Sequence, residues 1–194
     1  MNKEGESRRN ASDTGATLLA LALSVALVAP LSAHAEDAGQ THAATMTDAN
    51  IAAIVLAANS IDIKNGELAI ARSSNRAVRE FARQMVTDHT SVNGKATALA
   101  ARLTLVPEEN QASRALVANT DSTRHTMRKL SGAGFDRAYV NNEVAYHQAV
   151  IDLLDRTLVP TVKNQDLKDL LIGVRPAFVA HLEHAKGIQA SFAK

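Results

Sequence analysis

Apolar positions recur every three to four residues along most of the chain after about residue 48. This spacing places side chains on one face of an α-helix, and no stretch shows the period of two that a β-strand requires. Pro160 is expected to stop the fourth helix and Pro176 to bend the fifth. The pattern predicts an all-α protein with helices over 48–72, 76–105, 112–130, 135–159 and 165–192.

Four of these predicted helices are long, and they form two pairs with a short link inside each pair. Short links require antiparallel neighbours, whereas the connection over about 106–134 is long enough to cross the bundle. The sequence therefore predicts a ferritin-like four-helix bundle. Two antiparallel hairpins would be joined by a long connection with a short extra helix. The alternative is a simple up-down-up-down bundle with a long loop.

Polar residues interrupt the apolar seam of each long helix. His89, His147 and His181 each occupy a position that the helical spacing places toward the core, and Asp62 lies at the core or its margin. Counted from the two hairpin turns, all four positions fall near the middle of the bundle. At about 1.5 Å per residue, the offset within each hairpin is less than one helical turn. We therefore expect Asp62, His89, His147 and His181 to cluster.

Two interpretations of such a cluster remain open. Imidazole nitrogens and a carboxylate are suitable ligands for one divalent ion of zinc, copper, iron or nickel. Alternatively, the rings form a hydrogen-bonded core network without any cofactor, with Asp88 and Glu143 as supporting partners. Because buried polar groups are usually satisfied within the protein, the network is the favoured interpretation.

Other kinds of site find little support. A ferritin-like di-iron centre repeats Glu-x-x-His on two helices, and no glutamate of this chain begins that motif. No nucleophilic triad motif or glycine-rich phosphate loop occurs either, which favours a non-enzymatic envelope module with a binding or stress-related role over an enzyme. His42, His125 and His184 are expected at the surface, and Met85 is interpreted as core filler.

The beginning of the chain has the pattern of a signal peptide over 1–35. The apolar run 18–31 is too short to span a bilayer, and a small-residue cleavage motif ends at Ala35. Cleavage after Ala35 would leave a flexible segment over 36–46 and a bundle domain over 47–194. The expected location is the periplasm.

Charge and composition narrow the class further. Lys and Arg number 21 and Asp and Glu 20, a balance that argues against a nucleic-acid partner. The absence of cysteine excludes disulfides, thiolate metal sites and a lipidated cysteine. No membrane-spanning helix is expected after the leader, and the partner stays open between an envelope protein and a second copy of the chain.

Several motifs together resemble one protein family. They are 81–89 (Phe-Ala-Arg-Gln-Met-Val-Thr-Asp-His) followed by Asn93, 134–140 (Gly-Phe-Asp-Arg-Ala-Tyr-Val) leading to His147, and Pro176 leading to His181. Over about 47–194 the chain resembles the exported domain-of-unknown-function 4142 family. The resemblance implies a ferritin-like helical domain of bacterial envelope proteins, often labelled predicted outer-membrane protein, without an established activity. Asp62 stands where such sequences commonly carry Glu, which shortens the reach of this carboxylate toward a metal.

Overall fold

A computed structural model describes residues 46–193, which form six α-helices and one π-helical turn. The elements are α1 (Asp48–Arg72), α2 (Arg76–Arg102), α3 (Gln111–Met127), α4 (Gly132–Leu153), the π-helical turn (Leu154–Leu158), α5 (Val159–Thr161) and α6 (Gln165–Ser191). The described residues contain no strand, so the all-α class is confirmed. The predicted signal peptide 1–35, its cleavage after Ala35 and residues 36–45 lie outside the described residues.

Side-chain caps begin four of these helices. Thr47 and Asn50 form a reciprocal capping box at the start of α1. Asn75, Asn110 and Asn164 each accept a backbone N–H from three residues further on, at the starts of α2, α3 and α6. The predicted starts of α1, α2 and α6 are confirmed, because these polar residues supply the acceptors that the first turn lacks.

The end of α2 differs from the prediction. The helix was expected to continue to Leu105 but ends at Arg102. Thr104 has φ 50°, and the N–H of Leu105 donates to the carbonyl of Ala100 at 2.9 Å. This left-handed residue closes the helix with the hydrogen bonds of a Schellman-type end, a local choice that apolar spacing does not reveal. Two smaller differences are that α3 ends at Met127 and α6 at Ser191.

The fourth predicted helix is longer than expected at both ends. It begins at Gly132, and helical structure continues past Pro160 to Thr161. The expectation that Pro160 stops the helix is wrong, and the π-helical turn before it gives the physical reason. The N–H of Val159 donates to the carbonyl of Leu154, five residues back. In an α-helix a proline ring clashes with the carbonyl four residues earlier, and the wider turn eases this clash.

The four long helices form a bundle of two hairpins. α1 packs against α2, and α4 packs against α6. Between the hairpins, the main neighbours are α2 with α6 and α1 with α4, while α3 packs mainly on α1. The chain therefore crosses the bundle between α2 and α4, and the ferritin-like class stays a prediction. Along residues 46–193, no helix combines the length and apolar character needed to cross a membrane.

Two apolar regions fill the interior. We call the first the aliphatic core: Ile51, Ile54, Val55, Ala96, Leu99, Val150, Ile151, Leu154, Leu158, Val162, Leu167, Leu171, Phe178 and Leu182. The second is the aromatic core: Ala69, Val78, Phe81, Ala82, Met85, Met127, Phe135, Tyr139, Val140, Ala185 and Ile188. On each long helix, the inward polar residues fall between members of these two cores. Met85 is fully buried in the aromatic core, as its interpretation as core filler requires.

Two contacts fix how the helices meet. A Cβ atom on Gly66 would lie 2.9 Å from the carbonyl oxygen of Ala82, so α1 and α2 approach too closely there for a side chain. At the opposite end of α1, Asp48 accepts the backbone N–H groups of Lys163 and Asn164, both at 2.9 Å. These contacts hold α1 against its own hairpin and against the turn of the other.

Pro176 lies inside α6, as the sequence indicates. Phe178 and His181 follow it and are 5% and 2% exposed, so both side chains enter the core, as expected for His181. The bend at Pro176 stays a prediction.

Candidate metal centre

Four helices contribute one residue each to a buried cluster at the middle of the bundle. Asp62 comes from α1, His89 from α2, His147 from α4 and His181 from α6, with exposures from 0% to 3%. The ring centroids of the three histidines are 5.4 to 5.6 Å apart. The structure thus brings together all four residues that helical spacing had placed in one layer. We call these four the histidine cluster.

One nitrogen of His89 is held by an amide. Its Nδ1 lies 2.7 Å from Oδ1 of Asn59. The Nδ2 group of Asn59 donates to the carbonyl of Val55 at 2.8 Å, which orients the amide with its oxygen toward His89. Because that oxygen can only accept, Nδ1 of His89 carries the proton.

The other two rings are held in the same way. Nδ1 of His147 donates to the backbone carbonyl of Glu143 at 3.0 Å, one turn earlier on α4. Nε2 of His181 lies 2.9 Å from Oδ2 of Asp88, whose side chain is 41% exposed on α2. In each ring this nitrogen, which we call the outer nitrogen, therefore faces an oxygen acceptor; the other nitrogen of the ring is its inner nitrogen. Metal-bound histidines are usually held by outer partners of this kind.

The inner nitrogens are left facing one another. Nε2 of His89, Nε2 of His147 and Nδ1 of His181 are buried and have no hydrogen-bond partner among the described residues. Oδ2 of Asp62 lies 3.0 Å from Nε2 of His89 and 3.4 Å from Nε2 of His147. Each of the three rings has one nitrogen within 4.8 Å of one on each of the others. The three rings thus lie close enough to share one ion, and Asp62 faces two of them, His89 and His147.

The surroundings of His147, His181 and Asp62 keep these three side chains in the protonation states that bind a metal ion. Burial lowers the pKa of His147 and of His181, so both rings are neutral near pH 7. Burial raises the pKa of Asp62, but its interactions with His89 and His147 outweigh burial and leave that pKa below its ordinary value. The carboxylate of Asp62 is therefore ionised.

A second carboxyl group stands beside the first. Glu143 is completely buried, and oxygens of Glu143 and Asp62 lie within 4.8 Å of each other and of a nitrogen of His147. Burial, followed by the negative charge of Asp62, raises the pKa of Glu143 well above its usual range. Glu143 is thus a neutral acid. Its carboxyl group can donate a hydrogen bond, and it adds no second negative charge beside Asp62.

The spacing of the inner atoms suits a tetrahedral ion. Two ligands bound at about 2.0 to 2.1 Å to a tetrahedral zinc ion lie roughly 3.3 to 3.4 Å apart. The distances from Oδ2 of Asp62 to His89 and His147, 3.0 and 3.4 Å, are close to that value. The donor set of three imidazoles and one carboxylate also matches the ligands that zinc and related ions prefer.

Several neighbours of the cluster escaped the sequence analysis. Asn59 lies three residues before Asp62 on the same face of α1, and that spacing could have revealed it. The hydroxyl of Tyr146 donates to the carbonyl of Ala58 at 2.8 Å, and the ring of Phe178 stacks on His89 with centroids 5.2 Å apart. From the sequence alone, an aromatic residue that contacts a site looks the same as one that only packs in the core.

The remaining histidines do not join the cluster. His125 and His184 are exposed, as predicted. The ring of His184 contacts Gln84 and the edge of Phe81 instead of the inner nitrogens. His42 lies outside the described residues.

Comparison with known proteins gives one match. Residues 33–188 match the family model described as a domain of unknown function, DUF4142. No curated protein and no solved structure matches the chain. Because the family model spans most of the sequence, the resemblance seen in its motifs is confirmed, and the chain belongs to the DUF4142 family.

Proposed function

We propose that this protein binds one divalent transition-metal ion at the histidine cluster, with His89, His147, His181 and Asp62 as ligands. The observation that carries the proposal is that the three imidazoles each offer a nitrogen within 4.8 Å of the others, while a carboxylate oxygen of Asp62 lies 3.0 and 3.4 Å from two of the rings. This reverses the preference for a metal-free network that sequence alone suggested.

A network without a cation leaves part of the cluster unsatisfied. If His89 holds a second proton, its Nε2 can donate to Asp62, 3.0 Å away. The inner nitrogens of His147 and His181 then still have no hydrogen-bond partner among the described residues. An unpaired buried polar atom costs about 1 to 3 kcal/mol, and a metal ion would satisfy all four groups at once.

The ligand set points to a closed site. Four protein ligands fill the coordination shell of a tetrahedral ion, whereas catalytic zinc sites keep one position for water. We therefore infer a binding or storage role rather than hydrolysis. The leader pattern over 1–35 supports placing this role in the periplasm, where an exported module can take up metal ions.

The test is metal stoichiometry and affinity. Protein produced without a histidine tag is freed of metal and titrated with Zn²⁺ by calorimetry, and with Co²⁺ by visible absorption. We expect one ion per chain. Zn²⁺ at 100 times its Kd should stabilise the fold by about 2.7 kcal/mol.

Matched variants decide which residues bind. His147→Ala should weaken Zn²⁺ binding more than about 100-fold, since loss of an outer partner alone costs 10- to 100-fold. Asp88→Asn should fall within that 10- to 100-fold range because it only supports His181. His184→Ala, an exposed histidine three residues beyond His181, serves as the control and should bind as the wild type does. Destabilisation by His147→Ala that no chelator or metal alters would instead support a metal-free network.

A further inference from the structure

A small cavity lies on the aliphatic side of the histidine cluster. Its walls come from α1, α2, α4, the π-helical turn and α6, and include Ile54, Val92, Leu158 and Leu171. The volume open to a water-sized molecule is about 20 Å³. That is enough for one molecule of the size of water or dioxygen and too little for a ring such as benzene.

The chemistry of the walls excludes a stable water. The lining consists of aliphatic and aromatic side chains apart from Asn59. Both ends of the Asn59 amide are already engaged, one by the carbonyl of Val55 and the other by His89. A buried water needs two to four polar partners, which these walls do not supply, so an apolar molecule suits the space better than water does.

One layer of side chains separates the cavity from the histidine cluster. Phe178 lines the cavity, stacks on His89 and meets His147 edge-on with centroids 6.3 Å apart. Asn59 lines the cavity and holds Nδ1 of His89. A molecule in the cavity would therefore touch the residues that position the rings.

The backbone around the cavity is unusual in the same place. Leu154 and Leu158 line it, and they begin and end the π-helical turn. Such turns insert an extra residue into a helix and are frequent at functional sites. Leu153 and Val174, which also line the cavity, are only half-buried and mark its outer side.

We propose that this cavity binds one small apolar molecule of the size of dioxygen beside the histidine cluster. Binding itself requires only the cavity. Its position next to a metal ion rests on the proposed function, and the two are tested separately.

Xenon is the first probe, because it is apolar, polarisable and detectable by ¹²⁹Xe NMR, and because its larger radius makes it a stricter test of the space than dioxygen. The full chain should bind one xenon atom saturably, with and without chelator. Val174→Phe places a ring at the outer side of the cavity and should weaken xenon binding at least about tenfold. Val179→Phe changes another half-buried valine of α6 that does not line the cavity and should bind as the wild type does.

Dioxygen itself is the second probe, measured on the wild type so that no variant needs to fold. Under oxygen pressure, its paramagnetism should shift the methyl signals of Ile54, Leu158 and Leu171 more than that of Ile188. Ile188 is a buried residue of the aromatic core and is the internal control. Equal xenon binding by Val174→Phe, or equal methyl shifts in the two cores under oxygen, would each overturn the proposal; if xenon proves too large to bind, the oxygen shifts alone decide it. Failure to bind Zn²⁺ would overturn only the metal centre.

Discussion

The aromatic core and the aliphatic core flank the same histidine cluster, but they are closed to different degrees. Nine of the eleven residues of the aromatic core have 0% exposure, against two of the fourteen in the aliphatic core. The close approach at Gly66 belongs to the aromatic side, and the cavity belongs to the aliphatic side. Two regions built from the same helices therefore differ in how fully they are shielded from solvent, and one of them leaves a gap.

This difference assigns separate tasks to the two ends of the bundle. Large rings such as Phe81 and Tyr139 fill the aromatic core, where their planes meet at 62° with centroids 6.3 Å apart. The aliphatic core leaves room beside Phe178 and the rings it contacts. Close packing on one side holds the histidines in place, and looser packing on the other side leaves room for a small molecule one layer of side chains away from them.

The largest expected effect comes from removing one buried phenylalanine from each core. Phe81→Ala should lower the free energy of unfolding by about 3 to 5 kcal/mol, because the tightly packed neighbours cannot collapse into the gap. Phe178→Ala should cost less stability, at about the lower end of that range, because its cavity-side neighbours already lack contacts. It should also weaken Zn²⁺ binding, since Phe178 stacks on His89.

Urea unfolding and zinc titration of both variants measure these effects. If both variants lost the same stability and Phe178→Ala bound zinc as tightly as the wild type, the distinction between the two cores would be wrong.

A smaller effect is expected from adding one methyl group. Gly66→Ala should destabilise by about 1 to 3 kcal/mol, because the new Cβ meets the backbone oxygen of Ala82, which cannot rotate away. Gly94→Ala is the control, since a Cβ there meets nothing within 4 Å on the exposed side of α2. That substitution should stabilise by about 0.5 to 1 kcal/mol through better helix propensity. Thermal melts that rank the two variants in the opposite order would contradict the close approach.

The smallest effect concerns pH and isolates the histidine cluster. In the metal-free protein, the lowered pKa of His147 and of His181 means that unfolding takes up protons below about pH 6.5, so their contribution to stability is lost as pH falls. Glu143 acts oppositely, because its raised pKa lets the folded state hold a proton that the unfolded state releases above about pH 4.5. The pKa of Asp62 is lowered and leaves it ionised in this range.

The two histidines and Glu143 act in opposite directions, so the stability of the wild type should change little between pH 7 and pH 5.5. Glu143→Gln removes the opposing group, so the variant should lose stability clearly as the pH falls from 7 to 5.5. Urea unfolding of both proteins at the two pH values measures it. A flat dependence in wild type and variant alike would show that these rings do not titrate on unfolding.

Much of this arrangement follows from helical spacing alone. The positions of His89, His147 and His181 in apolar seams place them inward on three helices, and their distances from the hairpin turns place them at one depth. Asp62 joins them for the same reasons. Because these rules depend only on the 3.6-residue period and the rise per residue, they hold before any contact is known.

Other features depend on contacts between helices or on local backbone choices. The sequence favoured a metal-free network only because buried polar groups are usually satisfied by other groups of the protein. The observation against it is the direction of each inner nitrogen, which depends on Asn59 and Asp88 holding the outer ones. The left-handed Thr104 and the π-helical turn before Pro160 arise from local hydrogen bonds that a repeating apolar pattern does not encode.

The contact of Asp48 with the turn before α6 also bears on the order of folding. Its carboxylate accepts from residues 115 and 116 positions further along the chain, whereas each hairpin joins helices close in sequence. Closing so long a loop is favourable only once the hairpins have already formed and shortened the path between them. This contact therefore forms late in folding. It should slow unfolding of the bundle and have little effect on the folding rate.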